Sequence, residues 1–238
     1  MIDLQRNVDA REAMLRSIRD HLAASAKHDA VHAEAASTAI THLPSAVESD
    51  TSRDLVEIFR ENLEAVGGHC IVVRGRDEAA RALTRIIADL QKTPLRARRI
   101  ALSNAPIVGH LAKQIGVEVD EVTIAPSPAD LFAHDVGITT AQGAIAETGT
   151  LVLESECEKH RLVSLVPPVH IAILEAANIC LTLGEALAAL HRSRFSEMSP
   201  TITLITGPSR TADIELTMAI GVHGPQELFV IVNNGVSA

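Results

Sequence analysis

The chain has 238 residues, of which 47% are apolar, with 30 acidic against 21 basic side chains and a net charge of −9. That length suits one generous domain that buries roughly 70% of the surface its unfolded form exposes and needs no disulfide or metal staples. The negative charge repels a phosphate backbone, and four Phe with no Trp or Tyr offer few stacking platforms, so nucleic-acid partners are excluded and the core must be aliphatic.

The opening segment MIDLQRNVDAREAMLRSIRD is charged throughout and has no secretory apolar region, and nowhere do ~18 consecutive residues stay apolar as a membrane span requires. A cytoplasmic location is expected. Three cysteines, Cys70, Cys157 and Cys180, are an odd number with no CxxC spacing. They read as buried thiols in a reducing compartment, not as a zinc ribbon or a self-contained iron–sulfur cluster.

Ala10, Met14, Leu15, Ile18 and Leu22 share one face at helical spacing, which predicts an amphipathic helix over residues 9–26. Its apolar face is suited to a partner, a second copy of the chain, or its own domain. Residues 27–50, rich in Ala, Ser, Thr, His and Asp, read as an irregular arm. The expected organisation is therefore a helix and arm over residues 1–50 and a domain over 51–238. His28 and His32 have the spacing of a zinc helix, but they fall in this polar arm without a third ligand, and no metal site is assigned.

From Ser52 helical and strand patterns alternate: helix 52–66, strand 69–73, helix 77–90, strand 99–103, helix 107–115, strand 117–122. This alternation predicts an α/β domain with a mainly parallel sheet flanked by helices. Asp77 is the expected N-cap of its helix, and Gly67 and Gly116 the C-caps. The basic run Arg96, Arg98 and Arg99 reads as a solvated connection. After Pro126 short apolar runs follow closely at 143–146, 150–153, 162–166, 170–174 and 178–181, too close for crossover helices, so hairpins or adjacent strands inserted in the α/β frame are expected. A helix over 184–192, strand 201–205, helix 211–219 and strand 227–232 complete the prediction.

Four stretches carry chemistry. In ITGPSRTADIE, residues 205–215, an apolar strand leaves through Gly207 and Pro208 into the predicted helix, whose first amides, capped by Ser209 or Thr211, form an anion cradle completed by the planar donor Arg210. The competing reading is that Ser209 and Thr211 only cap the helix and Arg210 pairs with Asp213 or Glu215. In DVGITTAQGAIAETGTLVL, residues 135–153, Glu147 stands at a Gly-containing bend as a candidate base or nucleophile, or as a hydrogen-bonded turn residue, with Gly137, Thr148 and Gly149 beside it. GVHGP, residues 221–225, exposes His223 between glycines as a candidate proton carrier, and VPPVH ends at His170 after a rigid double proline. His134, Asp135, Glu147, His170 and His223 form a loose set whose convergence on a metal is the less favoured alternative.

Taken together, GIT at 137–139, AIAETGTLVL at 144–153, LVPPVHI at 165–171, ITGPSRTADIE at 205–215 and GVHGP at 221–225 resemble the LUD-domain family, over about Ser52 to Asn233. The resemblance implies a fold like that of the sugar-phosphate isomerases and CoA-transferases, with an N-terminal helical extension. It also implies a part in oxidising L-lactate to pyruvate alongside larger iron–sulfur subunits. The clusters are expected on those partners, because this chain lacks the cysteine-rich segments. Two functions remain open. One is a subunit that binds a small anion through Gly207, Ser209, Arg210, Thr211 and Asp213, with Gly137, Thr148, Gly149 and His170 nearby, or that docks on the cluster-bearing subunits. The other is a stand-alone enzyme acting on a small carboxylate, phosphate or CoA-linked substrate, with Glu147 and His223 as its catalytic pair. Homo-oligomerisation is compatible with either.

Overall fold

The computed structural model describes residues 14–17, 19–20, 54–155, 161–193, 200–212, 218–220 and 224–235, with the backbone alone for 191–193, 211–212 and 218–220. The chain divides into two units, Met1–Thr51 and Ser52–Ala238. In the first, residues 14–17 and 19–20 are helical, inside the predicted helix; the remainder of that helix and the whole arm, His28 and His32 included, lie outside the described residues.

The second unit is built on a six-stranded, all-parallel sheet in the order β1-β12-β7-β4-β2-β3. Its strands are β1 (His69–Val73), β2 (Arg99–Leu102), β3 (Glu121–Ile124), β4 (Val136–Ala141), β7 (Val169–Glu175) and β12 (Glu227–Asn233). A second sheet, in the order β8-β5-β6-β9, contains β5 (Gly143–Ile145), β6 (Thr150–Glu154), β8 (Ile179–Cys180) and β9 (Ile202–Thr206). Its β5–β6 and β6–β9 pairs are antiparallel.

Side-chain alternation sorts the central strands between two cores. Ile138 of β4, Ile171 and Ile173 of β7 and Ile231 of β12 meet Leu83, Ile86, Ile87 and Leu90 of α2 (Arg76–Leu90) and Val108 and Leu111 of α3 (Pro106–Ala112). On the opposite face Ala172, Leu174, Val230 and Val232 meet α1 (Leu55–Ala65) and the inner face of the second sheet through Ala144, Leu151 and Leu153. α4 (Leu183–Ser193) then covers the outer face of that sheet, Ala186 and Leu190 lying over Ile145, Val152 and Ile202. A parallel sheet needs cover on both faces, and this layering supplies it.

α1 shows how locally this is written. Val56, Phe59 and Leu63 recur at three and four residues and are buried, while Asp54 caps the start by accepting the Val56 amide at 3.0 Å. The helix ends where Gly67 takes φ 89°, and the amides of Gly67 and Gly68 return to the carbonyls of Glu64 and Leu63, a Schellman cap. Truncating Leu63, fully buried, to Ala costs about 2–5 kcal/mol.

Several expectations are corrected. The segment expected as a helix over 211–219 contributes instead to an antiparallel pair, β10 (Arg210–Ala212) with β11 (Met218–Ile220), Arg210 opposite Ile220. Its β-branched Thr211 and Ile220 suit a strand, and a short run cannot settle the period by itself. Residues 162–166 are not a strand; Arg161–Ser164 form a single 3-10 turn closed by the Ser164 hydroxyl on the Arg161 carbonyl, just before the double proline. The third strand begins at Glu121, not Val117. Residues 136–141, read only as a Gly-containing motif, are the central strand β4, and 169–175 pair in parallel with it instead of forming part of an inserted hairpin. α2 starts on Gly75 without a side-chain cap from Asp77, and α3 ends at Ala112, before Gly116.

Candidate functional site

The motif loops meet at the amino edge of the main sheet, around the C-terminal end of α1. Two of them rest directly on that helix. A Cβ on Gly149, which has φ 62°, would sit on the backbone of Asn62 and Leu63, 2.6 Å from the Asn62 carbonyl carbon, so only glycine permits the approach. A Cβ on Gly207, φ 75°, would lie 2.8 Å from the Val66 carbonyl oxygen. Asn62 fastens the first loop by donating from Nδ2 to the Ala146 carbonyl at 2.8 Å.

Hydroxyls join the two loops. Thr150 Oγ1 lies 2.7 Å from Thr148 Oγ1 and 2.7 Å from Thr206 Oγ1, a continuous row across paired strands that ends beside Gly207. Each hydroxyl has one proton to give, so the row is polarised in one direction and its outer members, exposed Thr148 and Thr206, keep capacity for a further partner. The other loops close the arrangement. The Ser209 amide donates to the Pro225 carbonyl at 2.8 Å, a Cβ on Gly224 would touch the Ser209 side chain, and the Gln226 amide donates to Pro168 at 2.7 Å. Thus ITGPSR, GVHGP and LVPPVH are neighbours.

Arg210, exposed, donates through Nη2 to the Val66 carbonyl at 2.6 Å, one of the carbonyls left over at the end of α1. It forms no ion pair among the described residues. The anion cradle is corrected to this extent: Ser209 and Arg210 lead into a strand, so no helix dipole assists them, and what remains is a positioned guanidinium with hydroxyls nearby. Asp213 and His223 lie outside the described residues, and Thr211 is described only as backbone in β10.

Glu147 is exposed; its amide donates to Leu181, and its Oε1 accepts the Leu183 amide at 3.3 Å, at the start of α4. Gly137 is buried against the Arg161–Ser164 turn, where a Cβ would collide with the Val163 carbonyl. His170 pairs with Gly137 across β4 and β7 and is fully buried on the face toward the second sheet. Its Nε2 lies 2.8 Å from Thr139 Oγ1, its Nδ1 has no partner among the described residues, and burial pushes the imidazole down to about 3. Asp135 accepts the amides of Arg98 and Arg99 at 2.8 and 2.9 Å, and His134 Nδ1 meets the Asp130 carbonyl. Among the described residues no three His, Cys, Asp or Glu side chains form a metal-ligand group.

Sequence reading missed the Thr150–Thr206 link, the Thr139 partner of His170 and the Val66 carbonyl. The threonines flanking Gly149 and Gly207 were a visible signal for the first; the others needed strand register and helix position. It also missed three clefts. One of about 180 Å³ lies between the second sheet and α4, one of about 590 Å³ between the end of α2 and Phe229, and one of about 760 Å³ beside Asp54, Glu175 and Asn233. None of Gly137, Glu147, Thr148, Gly149, His170, Gly207, Ser209 or Arg210 lines any of these three.

A family model described as the LUD domain matches residues 56–232. An uncharacterized protein of Neisseria meningitidis serogroup B is 42% identical over 99 residues, 41% of each chain. Lactate utilization protein C 1 of Bacillus mycoides is 39% identical over 105 residues, 43% of this chain and 45% of its own length. Lactate utilization protein C of Geobacillus thermodenitrificans is 36% identical over 124 residues, 51% and 52%. The chain thus spans between two fifths and about half the length of these relatives. A crystal structure of a DUF162 family protein from Deinococcus radiodurans superposes with a TM-score of 0.54 at 26% identity, covering 76% of this chain and 96% of that one.

Proposed function

The chain belongs to the LUD-domain family, and on that premise we propose that it serves L-lactate utilization by holding a small carboxylate at the amino edge of its main sheet. Relatives named lactate utilization protein C support the pathway. The observation that carries the site is Arg210. Its guanidinium is tethered by one hydrogen bond to Val66, has no carboxylate partner among the described residues, and retains donors in the planar geometry that matches a carboxylate. Thr206 and Ser209 on the same loop add hydroxyls for a second contact.

In this reading the chain does not itself carry the redox chemistry. Its three cysteines have no cluster spacing, and iron–sulfur subunits are the partners that take up the electrons. Glu147 then serves as the brace between the motif loop and α4. The experiment is complementation: a strain lacking this chain is grown on L-lactate with the wild-type protein or with Arg210→Ala restored. Growth with the wild type and failure with a stably folded Arg210→Ala supports the reading; unimpaired growth without the chain removes the pathway role.

A further inference from the structure

We propose a second ligand site, distinct from Arg210, in the cleft of about 590 Å³ between the end of α2 and the first residues of β1 and β12, fitted to a medium-chain carboxylic acid. α2 leaves the carboxyl end of β1 and runs back along the sheet, but it ends at Leu90, and the chain continues through Pro94 and Leu95, which form part of the cleft wall. Ile71 and Phe229 stand on the same sheet face as Ile231 and pack on the core that α2 covers, yet they stay only partly buried. Phe229 is braced by His69, its partner in register, with ring centroids 4.6 Å apart and planes 20° from parallel. The volume falls in the range of roughly 300–1,000 Å³ usual for small-molecule sites, whose walls are mainly apolar with a few polar groups.

The wall specifies both ends of the ligand. Ile71, Ile86, Leu90, Leu95 and Phe229 offer apolar surface that favours an alkyl chain taken out of water. The charged wall groups are Arg85, Asp89 and Glu227. Asp89 is matched by Lys92 at 2.8 Å, and Glu227 Oε2 lies 3.0 Å from His69 Nε2. Arg85 is exposed and has no ion pair among the described residues. It stands four residues before Asp89, about 6 Å farther along α2 from the amino edge, where Glu227 begins β12. The Thr93 hydroxyl is engaged, donating to the Leu90 carbonyl at 2.7 Å. An unmatched guanidinium takes a carboxylate through two parallel hydrogen bonds, whereas an ammonium would have to displace Lys92 or His69 from its carboxylate. A carboxylate on Arg85 with its alkyl chain over Leu90 and Phe229 satisfies both requirements.

The test uses the full chain with isoleucine and leucine methyls carbon-13 labelled and octanoate as the probe, with octylammonium and L-lactate as controls for head group and chain. The methyls of Ile71, Ile86, Leu90 and Leu95 are expected to shift saturably with octanoate and to respond at least about tenfold more weakly to octylammonium. L-lactate, which has the carboxylate without the chain, is expected to leave them unmoved. From hexanoate to octanoate the affinity is expected to rise about two- to fourfold per methylene. Arg85→Glu, a change at an exposed position, is expected to reverse the order of octanoate and octylammonium. An order unchanged by Arg85→Glu, an equal response to L-lactate, or no saturable shift with octanoate overturns the proposal. Arg210→Ala is expected to leave the octanoate response intact, so this site and the one at Arg210 fail independently.

Discussion

The Arg210 guanidinium donates to the main-chain carbonyl of Val66, 144 positions earlier in the chain, at 2.6 Å. A residue from the most recognisable motif thereby closes the end of a helix in another part of the sequence and is held there in one orientation. This is the step from fold to function: the carbonyl that α1 leaves unpaired fixes the donor that the proposed ligand needs. Arg210→Ala is expected to cost at most about 1 kcal/mol of stability, because the hydrogen bond is exposed, while weakening binding of a small carboxylate by about 1.5–3 kcal/mol. Thermal unfolding and binding on the same sample separate the two effects.

A glycine packed under a motif loop and one in open space are predicted to differ. Gly149→Ala combines a left-handed backbone with a collision on α1 and is expected to destabilise by about 2–5 kcal/mol. Gly75→Ala, at φ 86° and ψ 174° but with nothing within 4 Å of the new methyl, bears only the backbone cost and is expected to lose about 1–3 kcal/mol. Denaturant midpoints of the two variants check this; equal losses would show that the contact with Asn62 and Leu63 is not tight.

His170 makes the fold acid-sensitive. Its imidazole titrates near 3 when folded against 6.5 ordinarily, so between these values the unfolded chain binds the extra proton. Stability from this group is complete above pH 6.5 and falls with acid toward pH 3, at up to about 1.4 kcal/mol per pH unit. His170→Asn is expected to flatten that part of the stability profile, measured by urea unfolding at pH 7, 6, 5 and 4. An unchanged slope would assign the acid sensitivity to other groups.

Cys70 is predicted to be inert. Burial first, then the neighbouring Glu64, pushes its thiol up from 9.0 to about 12, which leaves roughly a thousandfold less thiolate at a given pH. In a chain whose other cysteines are replaced by serine, labelling by a disulfide reagent at pH 8 should be slow when folded and rapid in denaturant. Fast labelling of the folded protein would contradict the burial.

How far the sequence led depends on which forces decide each element. α1, β1 and α2 were legible within three residues, because periodicity and the Gly67 cap are local signals. β4 was not: Gly137, Thr139 and Thr140 break the apolar run expected of a central strand, and their reasons are tertiary, close contact with Val163 for one and the His170 hydrogen bond for another. The hairpin after Arg210 was misread as a helix because the pairing of Arg210 with Ile220 is invisible to a local window. The motifs themselves were visible, but their meeting at the end of α1 required the register of β6 with β9 and the position of Val66.

The most direct test is calorimetric titration of L-lactate into the wild-type chain and into Arg210→Ala. Saturable binding to the wild type is expected, with affinity reduced at least about tenfold in the variant, the equivalent of losing one charged hydrogen-bond pair. Equal affinity in the two proteins, or no saturable binding to the wild type, would contradict a carboxylate site at Arg210.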